Sequence, residues 1–414
     1  MKIGFFTDRY YPQVDGVAVS VELFAKELIK LGHEVIIFAP QSAGKKQVDP
    51  PYVIRFRSFP SIWYENHRDT MPFTPATIKK VHEQNLDIAH IHTPAQIGVL
   101  GMRVAKESGM PMVATHHCDI EQYVRVYKKM LIGVLLGILI APALAKSLDS
   151  YKELLPYLKP QKSIKVWNHK LILESVGIFY QHCDAVIAPS VKMVNSLKDY
   201  ATINNVYLLP TGVDFKATQI KTDFNPKQYY QIDDNCPLLL FVGRLGKEKN
   251  VQLIIRSMPK ILERSPSTKL LIVGDGPYAQ ELRELAESSG ASPSIIFTGM
   301  LDRARTLACF KAGDIFCFAS LTDTQGLVLN EAAAVAKPMV FVDPAISALA
   351  TDKVTGILAN ASVSSFSSAC IKLINNKALA ETYGKKAKSL ALTMTIAKQA
   401  KKLLKIYLDI VWVI

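Results

Sequence analysis

Apolar residues in the first half of the chain recur in two alternating patterns. Residues 2–6 form a short apolar run typical of a buried strand, and the next apolar positions recur at helical spacing until Gly32, a residue suited to ending a helix. The same order repeats, with strands predicted at 35–39, 88–91, 112–115 and 185–188 and a helix at 98–107. This alternation predicts a parallel sheet covered by helices on both faces.

The alternation lapses in a polar stretch and then restarts in the second half. Strands are predicted at 238–242, 270–273, 295–297, 315–318 and 339–342, and helices at 251–264, 279–288, 303–311 and 326–335. A single core stops growing at about 250–300 residues, so a chain of 414 residues suits two domains. We predict an α/β protein whose doubly wound, Rossmann-like domains span 1–207 and 237–379, with an interdomain link at 208–236 and a helical segment at 380–414. The pattern leaves open whether that last segment packs back on the first domain.

Composition narrows the possible partners. The chain has 49 Lys and Arg against 36 Asp and Glu, a net charge of +13 that favours nucleic acid, acidic lipid or phosphorylated substrates. No nucleic-acid recognition motif accompanies this charge, so we expect no nucleic-acid partner. The six cysteines are scattered without a C-x-x-C pair, which argues against zinc and against a redox dithiol.

One segment suggests a membrane surface. The N-terminal apolar run is broken at Asp8 and is too short for a signal-peptide core, so we expect a cytoplasmic protein. A longer apolar run spans 130–145, contains Pro142 and falls short of the roughly 20 residues that cross a bilayer. Over 125–170, nine Lys and Arg residues stand against two carboxylates. Such a segment suits an anionic lipid headgroup layer, with a buried helical hairpin and a solvated basic flank as the alternative.

Two cations follow the first strand of the second domain. Arg244 and Lys249 stand five residues apart in FVGRLGKEKN, just where the strand ends. Ligands of open parallel sheets bind outside the carboxyl ends of the strands, so two facing domains would form a cleft with a site on each wall. Both cations could therefore hold one anion, for which a diphosphate has a suitable size. A solvated basic loop is the alternative for this motif alone.

Two further loops follow predicted strands. GDGP, which contains Gly274, Gly276 and Pro277, is a tight turn that permits close approach to the backbone, although it is as often only a turn. In TDTQGLVLNEAAAVAKPMV, Asp323 and Glu331 stand eight residues apart, and a predicted helix begins between them. The helix N-terminus could bind an anion, whereas helix capping by Asp323 or Thr324 is the alternative.

These three motifs, in this order, resemble the retaining GT-B glycosyltransferases of the family-4 type. The resemblance implies that Arg244, Lys249, Gly326 and Leu327 bind the donor diphosphate. It also implies that GDGP (Gly274, Gly276, Pro277) lies in the nucleobase region, and that the E-x7-E element corresponds to Asp323 and Glu331. In that element the first carboxylate binds the donor sugar and the second binds the ribose, and we expect Thr324 and Gln325, which stand between them, to bind the donor sugar or ribose as well. Asp323 stands where Glu is usual, and its carboxylate is one methylene shorter.

The first half extends the resemblance. FTDRYYPQVDGVAVSV is similar to the family's opening strand and glycine loop, in which Gly16 would let the backbone approach the donor phosphates or the acceptor. VATHHCDIEQYV is similar to an element that places His117, rather than His116, near the reacting carbon. The resemblance therefore implies His117 and Asp323 as catalytic residues, although a lone His is more often a core residue.

Within the family, the motifs are most similar to those of diacylglycerol glucosyltransferases. The expected reaction moves glucose from UDP-glucose to 1,2-diacylglycerol with retention, on the inner face of the cell membrane, to which the protein would be peripherally bound. Metal-dependent glycosyltransferases commonly carry a D-x-D string, and this chain has none, so we expect neither a metal nor a cofactor. A hexosyl or mannosyl transferase with a polyprenyl-linked or phosphoinositide acceptor is the nearest alternative. An idle sugar-nucleotide-binding or membrane-scaffold protein and a nucleotide-sugar epimerase are the others.

Overall fold

The computed structural model describes residues 1–42, 48–62, 68–117, 130–146, 152, 164–198, 203 and 205–412. The chain divides into two units: residues 1–211 with 399–414 form the first, and residues 212–398 form the second. Each contains one large parallel sheet, as the alternation of apolar patterns predicts.

The first unit is built on a seven-stranded sheet with the order β3-β2-β1-β6-β7-β8-β9, and every neighbouring pair is parallel. A separate antiparallel hairpin pairs β4 with β5. The strands are β1 (Lys2–Phe6), β2 (Glu34–Pro40), β3 (Val53–Phe56), β4 (Ser58–Pro60), β5 (Arg68–Thr70), β6 (Ile88–Ile91), β7 (Met112–Thr115), β8 (Ala185–Ala188) and β9 (Val206–Leu208). The six described helices that connect them are α1 (Gly16–Lys30), α2 (Pro75–His82), α3 (Gln96–Ser108), α4 (Met130–Leu144), α5 (Ile164–Gln181) and α6 (Val191–Leu197).

The second unit has a six-stranded parallel sheet with the order β12-β11-β10-β13-β14-β15. Its strands are β10 (Leu238–Val242), β11 (Lys269–Val273), β12 (Ile295–Gly299), β13 (Ile315–Phe318), β14 (Met339–Phe341) and β15 (Gly356–Leu358). The helices that follow α6 are α7 (Pro226–Tyr229), α8 (Val251–Arg264), α9 (Ala279–Ser288), α10 (Arg303–Ala312), α11 (Leu327–Ala334), α12 (Val363–Asn375), α13 (Lys377–Thr393) and α14 (Ile396–Val411).

The second sheet is buried on both faces, which explains its continuous apolar strands. All five residues of β10 are buried, and two hydrophobic clusters cover the two sides of the sheet. Phe316 and Phe341 belong to one cluster and Leu239 and Ile254 to the other, all with no exposed surface. Full burial of such a side chain contributes roughly 1.5–3 kcal/mol, so these central strands fix the frame that positions the loops at their ends.

The unit boundaries differ from those predicted. Residues 212–236, predicted as part of a link over 208–236, belong to the second unit, where Ile232 is buried and Phe224 packs on the core. Helix α13, predicted within a separate segment at 380–414, also belongs there because Ala387 and Ala391 are buried in that core. Residues 399–414 belong to the first unit. The buried residues of these segments are few and stand among polar residues, so their spacing gives no clear helix or strand pattern in the sequence.

Helix α4 holds most of the predicted apolar run at 130–145. Leu135, Ile138 and Ala141 pack against apolar clusters of the first unit, whereas another face of the helix is exposed. The exposed apolar residues of that face, 44–56% accessible, are Ile132, Leu136, Leu139 and Ile140. No helix within the described residues is long and apolar enough to cross a membrane.

Candidate active site

The carboxyl ends of β10 and β13 lie side by side at the point where the strand order of the second sheet reverses. The chain runs from β10 outward to β12, then returns and runs outward from β13 to β15 on the other side. Open α/β sheets bind ligands at this kind of switch point. Arg244 and Lys249 follow β10, and Asp323 follows β13, so the topology brings the predicted motifs to one sheet edge.

Arg244 is held by a carboxylate that sequence reasoning missed. Its Nη2 donates to Oε1 of Glu248 at 2.6 Å, and the Glu248 side chain is only 4% exposed. Gly246 permits this arrangement, since a Cβ there would lie 2.2 Å from the Glu248 carboxylate. Glu248 stands between two lysines in the sequence, which makes it look like part of a solvated basic loop. Its burial instead makes it the residue that orients Arg244.

Hydrogen bonds connect the two loops between residues that stand 69 to 74 positions apart in the sequence. Ser320 Oγ and Thr322 Oγ1, after β13, each donate to the carbonyl oxygen of Glu248 at 3.1 Å. Asn250 adopts a left-handed conformation and donates from Nδ2 to the Ala319 carbonyl at 3.1 Å. The loop that carries the cations is therefore fixed to the loop that carries Asp323.

Lys249 and Asp323 form a direct ion pair through Nζ and Oδ1. Helix α11 begins after Gly326, which has a φ of 63° and provides no side-chain cap. The N-cap residue of α11 is thus Gly326 and not Asp323 or Thr324, which corrects the capping alternative from the sequence. Within the part of the chain that the structure describes, no side chain at the N-cap accepts from the first backbone N–H groups of α11, which start at Leu327 and are arranged as in anion sites at helix N-termini.

Glu331 lies on α11 and pairs with Arg303, the first residue of α10. Burial raises the pKa of the Glu331 carboxyl, and the Arg303 guanidinium opposes that rise. Sequence reasoning missed Arg303 because it opens a helix 28 residues away and belongs to no motif. The two remaining predicted residues, Thr324 and Gln325, lie in the turn before Gly326, and Gln325 is buried.

The GDGP turn packs on the loop that carries Arg244. Leu245 N–H donates to the Asp275 carbonyl at 2.9 Å, and Tyr278 N–H donates to the Leu245 carbonyl at 2.9 Å. A Cβ at Gly276 would lie 2.5 Å from the Leu245 oxygen, and one at Gly274 would lie 2.0 Å from the Gly243 oxygen. These glycines thus have a packing role, while the assignment of Gly274, Gly276 and Pro277 to the nucleobase remains a prediction.

The first sheet has its own switch point, between β1 and β6. Asp8, after β1, accepts from Ile97 N–H at 2.9 Å and from the Thr93 hydroxyl at 2.6 Å, so it holds the start of α3. Burial raises its pKa to about 6. The loop after β1 leads to Gly16, the first residue of α1, and Asp15 caps that helix by accepting from Ala18 N–H at 2.9 Å.

Four histidines lie close together near the carboxyl ends of β6 and β7. His117 Nε2 lies 3.1 Å from His92 Nδ1, and His90 bonds to Thr115 and Tyr407. His116 bonds through Nδ1 to the Tyr180 hydroxyl at 2.8 Å. Burial lowers the pKa of His117 to about 3, so the ring is neutral at physiological pH. Among the described residues, no three His, Cys, Asp or Glu side chains are arranged to hold a metal ion.

The two doubly wound units define the class of protein. Sucrose-phosphate synthase from Thermosynechococcus elongatus matches with a TM-score of 0.71 at 17% identity, over 99% of this chain and 98% of its own. Anabaena HepE in complex with UDP-glucose matches with a TM-score of 0.68 at 14% identity, over 99% and 100%. The chain therefore has the GT-B glycosyltransferase fold.

Sequence comparisons give the family. Residues 14–217 match Glycosyltransferase Family 4, and residues 224–390 match Glycosyl transferases group 1. Alpha-monoglucosyldiacylglycerol synthase of Streptococcus pneumoniae is 31% identical over 86% of this chain and 75% of its own length. The enzyme of the same name from Acholeplasma laidlawii is 27% identical over 87% and 85%. A GDP-mannose-dependent alpha-mannosyltransferase of Mycolicibacterium smegmatis is 24% identical over 83% and 80%. The chain belongs to the family-4 glycosyltransferases and is a hexosyltransferase.

Proposed function

We propose that the protein transfers glucose from UDP-glucose to the hydroxyl of 1,2-diacylglycerol, with retention at the anomeric carbon. Two relatives are named as monoglucosyldiacylglycerol synthases, and HepE was solved with UDP-glucose. The observation that carries the proposal is the convergence of Arg244, Lys249, Asp323 and the uncapped start of α11 at one switch point. This arrangement suits an anionic sugar nucleotide.

The chemistry needs stabilisation of a leaving diphosphate. The acceptor oxygen forms a bond to C1 of the sugar while the bond from C1 to the phosphate oxygen breaks, and the hydroxyl proton passes to the leaving phosphate on the same face. Negative charge grows on the diphosphate during this step, and Arg244, Lys249 and the first N–H groups of α11 would stabilise it. Positioned cations and N–H groups supply this stabilisation without a metal or another cofactor, so we propose that none is required.

Three residues have proposed roles toward the sugar nucleotide. Asp323 would bind the transferred sugar, and Glu331 would accept hydrogen bonds from the ribose hydroxyls. His117 would lie near the reacting carbon. Both carboxylates are held by cations before the donor arrives, since Asp323 pairs with Lys249 and Glu331 with Arg303. Donor binding therefore has to rearrange the first of these pairs.

The exposed stripe of α4 supports a lipid acceptor at a membrane surface. Ile132, Leu136, Leu139 and Ile140 recur at spacings of four, three and one, so they lie on one face of the helix. An exposed apolar stripe on a helix whose opposite face packs on the core suits the acyl boundary of a bilayer. The protein would then bind the cytoplasmic face of the membrane peripherally.

Three of the basic residues that follow this stripe in the sequence have described side chains. Lys146 pairs with Glu107 at 2.6 Å, and Lys152 and Lys170 are exposed. Several of the expected cations lie outside the described residues or have side chains that are not described: Arg125, Lys128, Lys129, Lys159, Lys162 and Lys165. The preference of 125–170 for anionic lipid therefore remains a proposal, supported by nine cations against two carboxylates.

A vesicle assay tests membrane binding. Leu136→Gln combined with Ile140→Gln should reduce co-sedimentation with phosphatidylglycerol vesicles, because both side chains lie on the exposed stripe. Met300→Gln is the matched control, since Met300 is 77% exposed in the other unit. Equal loss in the control, or no loss in the double variant, would remove the assignment of this stripe to the membrane.

A further inference from the structure

His92 and His117 form a pair within the first unit. They follow β6 and β7, which are neighbours in the sheet, and His92 Nδ1 lies 3.1 Å from His117 Nε2. The ring planes are nearly parallel, with an interplanar angle of 24° and centroids 5.4 Å apart. His92 is 1% exposed and His117 is 9% exposed, so one ring is enclosed while the other retains accessible surface. His92 is not part of the motif that singled out His117.

The surroundings of His92 fix its ring. Phe5 meets it edge-on at 4.7 Å between centroids, and the ring of His90 lies 4.0 Å away. His90 is itself held at both nitrogens, by the hydroxyls of Thr115 and Tyr407. Rotation of His92 would have to displace this aromatic cluster. The Nε2 atom of His92 is buried and has no hydrogen-bond partner among the described residues.

The unpartnered Nε2 of His92 indicates which of the two rings donates the hydrogen bond between His92 Nδ1 and His117 Nε2. Burial lowers the pKa of both rings, so each is neutral and carries a single N–H. If His117 Nε2–H donated to His92, the proton of His92 would sit on Nε2 as a buried donor without an acceptor. If His92 Nδ1–H donates to His117, only a bare lone pair on His92 Nε2 is left. Buried orphan N–H groups are rarer in proteins than under-satisfied acceptors, so the second arrangement is favoured.

We infer that His92 is a positioning residue that holds His117 in the tautomer protonated at Nδ1. His117 then presents an N–H donor, and not a lone pair, to whatever occupies the accessible side of its ring. Given the proposed function, on which this part of the inference rests, the acceptor of that hydrogen bond is an oxygen of the transferred sugar. His117 in this tautomer orients the sugar and cannot accept the acceptor's proton at Nδ1.

The tautomer can be measured without any turnover. Full-length protein with ¹⁵N-labelled histidine should show, in long-range ¹H–¹⁵N correlation spectra, a protonated Nδ1 and an unprotonated Nε2 for His117, assigned with the His117→Gln variant. This result does not depend on which sugar or lipid the enzyme uses. A wild-type spectrum with the proton on His117 Nε2 would overturn the inference even if the protein transfers glucose as proposed.

Variants of His92 separate positioning from packing. His92→Phe keeps an aromatic ring but has no Nδ1 donor, so His117 should lose its single tautomer and kcat should fall about ten- to a hundredfold, with little change in the KM for the sugar nucleotide. His92→Asn places a side-chain amide close to the position of Nδ1 and should restore both the tautomer and most of kcat. An unchanged tautomer in His92→Phe, or equal losses in both variants, would contradict the assignment. If neither variant folds, the wild-type spectrum decides.

Discussion

The ammonium group of Lys249 lies against the carboxylate of Asp323, although 74 residues separate them in the sequence. Both side chains are mostly buried, with 21% and 16% of their surface exposed. Asp323 therefore holds the cation that the family resemblance assigns to the donor diphosphate. If Lys249 binds the diphosphate as proposed, we expect the shorter carboxylate at this position to compete with the diphosphate for Lys249.

Removal of the Asp323 charge should release Lys249. Asp323→Asn should bind UDP up to about fivefold more tightly, since a partly exposed ion pair contributes at most about 1 kcal/mol, and should transfer sugar more slowly. Isothermal titration of UDP and an assay of UDP release measure the two effects. Asp302→Asn is the control, because Asp302 lies in the same unit and pairs with Arg305. Weaker UDP binding in Asp323→Asn would mean that the pair supports the site and does not compete with the donor.

Loss of the lysine itself should have the opposite effect on binding. Lys249→Met should weaken UDP binding about ten- to a hundredfold, because a hydrogen bond to a charged group contributes about 1.5–3 kcal/mol. The neighbouring Lys247 is exposed and lies over the ring of Tyr278, so Lys247→Met should bind UDP nearly as well as wild type. Comparable losses in both variants would indicate that the general positive charge of this loop attracts UDP and that Lys249 does not bind it specifically.

We expect Arg303 to determine the pH at which activity is lost on the acidic side of the pH profile. Burial already raises the pKa of Glu331, and Arg303→Met removes the guanidinium that opposes this rise. In the proposed role, the ionised Glu331 carboxylate accepts hydrogen bonds from the ribose hydroxyls. Activity should then be lost as pH falls through this pKa, and the loss should begin at higher pH in the variant. We expect kcat/KM for the donor to fall about two- to fivefold more at acidic pH than at pH 8.

A second arginine on the same helix is the control for this profile. Arg305 pairs with Asp302 at 3.5 Å and lies over the ring of Phe224, so Arg305→Met should leave the acid limb of kcat/KM in place. A profile in Arg303→Met that is parallel to that of the wild type at all pH values would show that Glu331 does not titrate in the relevant state.

Gly276→Ala should destabilise the second unit. The added Cβ would lie 2.5 Å from the Leu245 oxygen, a contact that forces the turn away from the loop carrying Arg244. Overpacking of this kind costs about 1–3 kcal/mol in the free energy of unfolding, which denaturant titration can measure. Gly290→Ala is the control, because no atom lies within 4 Å of a Cβ added at Gly290 and its φ is 72°. Its effect on stability therefore measures backbone strain without a collision. A smaller loss in Gly276→Ala than in Gly290→Ala would contradict the packing role.

Strong apolar periodicity predicted the central elements closely. Strand β10 and helix α8 begin and end at the predicted residues, because one is buried on both faces and the other buries a single apolar stripe. Strand β15 was missed, since it has only three residues, of which Gly356 is buried and the other two are partly buried, and they give no alternation. Residues that make few apolar contacts leave too little signal in the sequence to place such short elements.

The candidate site was predictable as a set of motifs but not as a set of contacts. Adjacent strand ends place Lys249 near Asp323, yet nothing in the sequence pairs Glu331 with Arg303 or shows that Glu248 folds back on Arg244. These partners lie in different loops or turn inward from a charged stretch. The packing of the folded chain, which residue spacing does not reveal, determines which charged side chains form ion pairs.

The product of the reaction tests the central claim most directly. The protein would be incubated with diacylglycerol vesicles and a mixture of UDP- and GDP-sugars, and the extracted lipids analysed by mass spectrometry and by NMR of the anomeric carbon. We predict one new lipid, diacylglycerol carrying a single α-linked glucose derived from UDP-glucose. A β-linked product, a mannolipid formed from GDP-mannose, or the absence of any glycosylated diacylglycerol would contradict the proposed function.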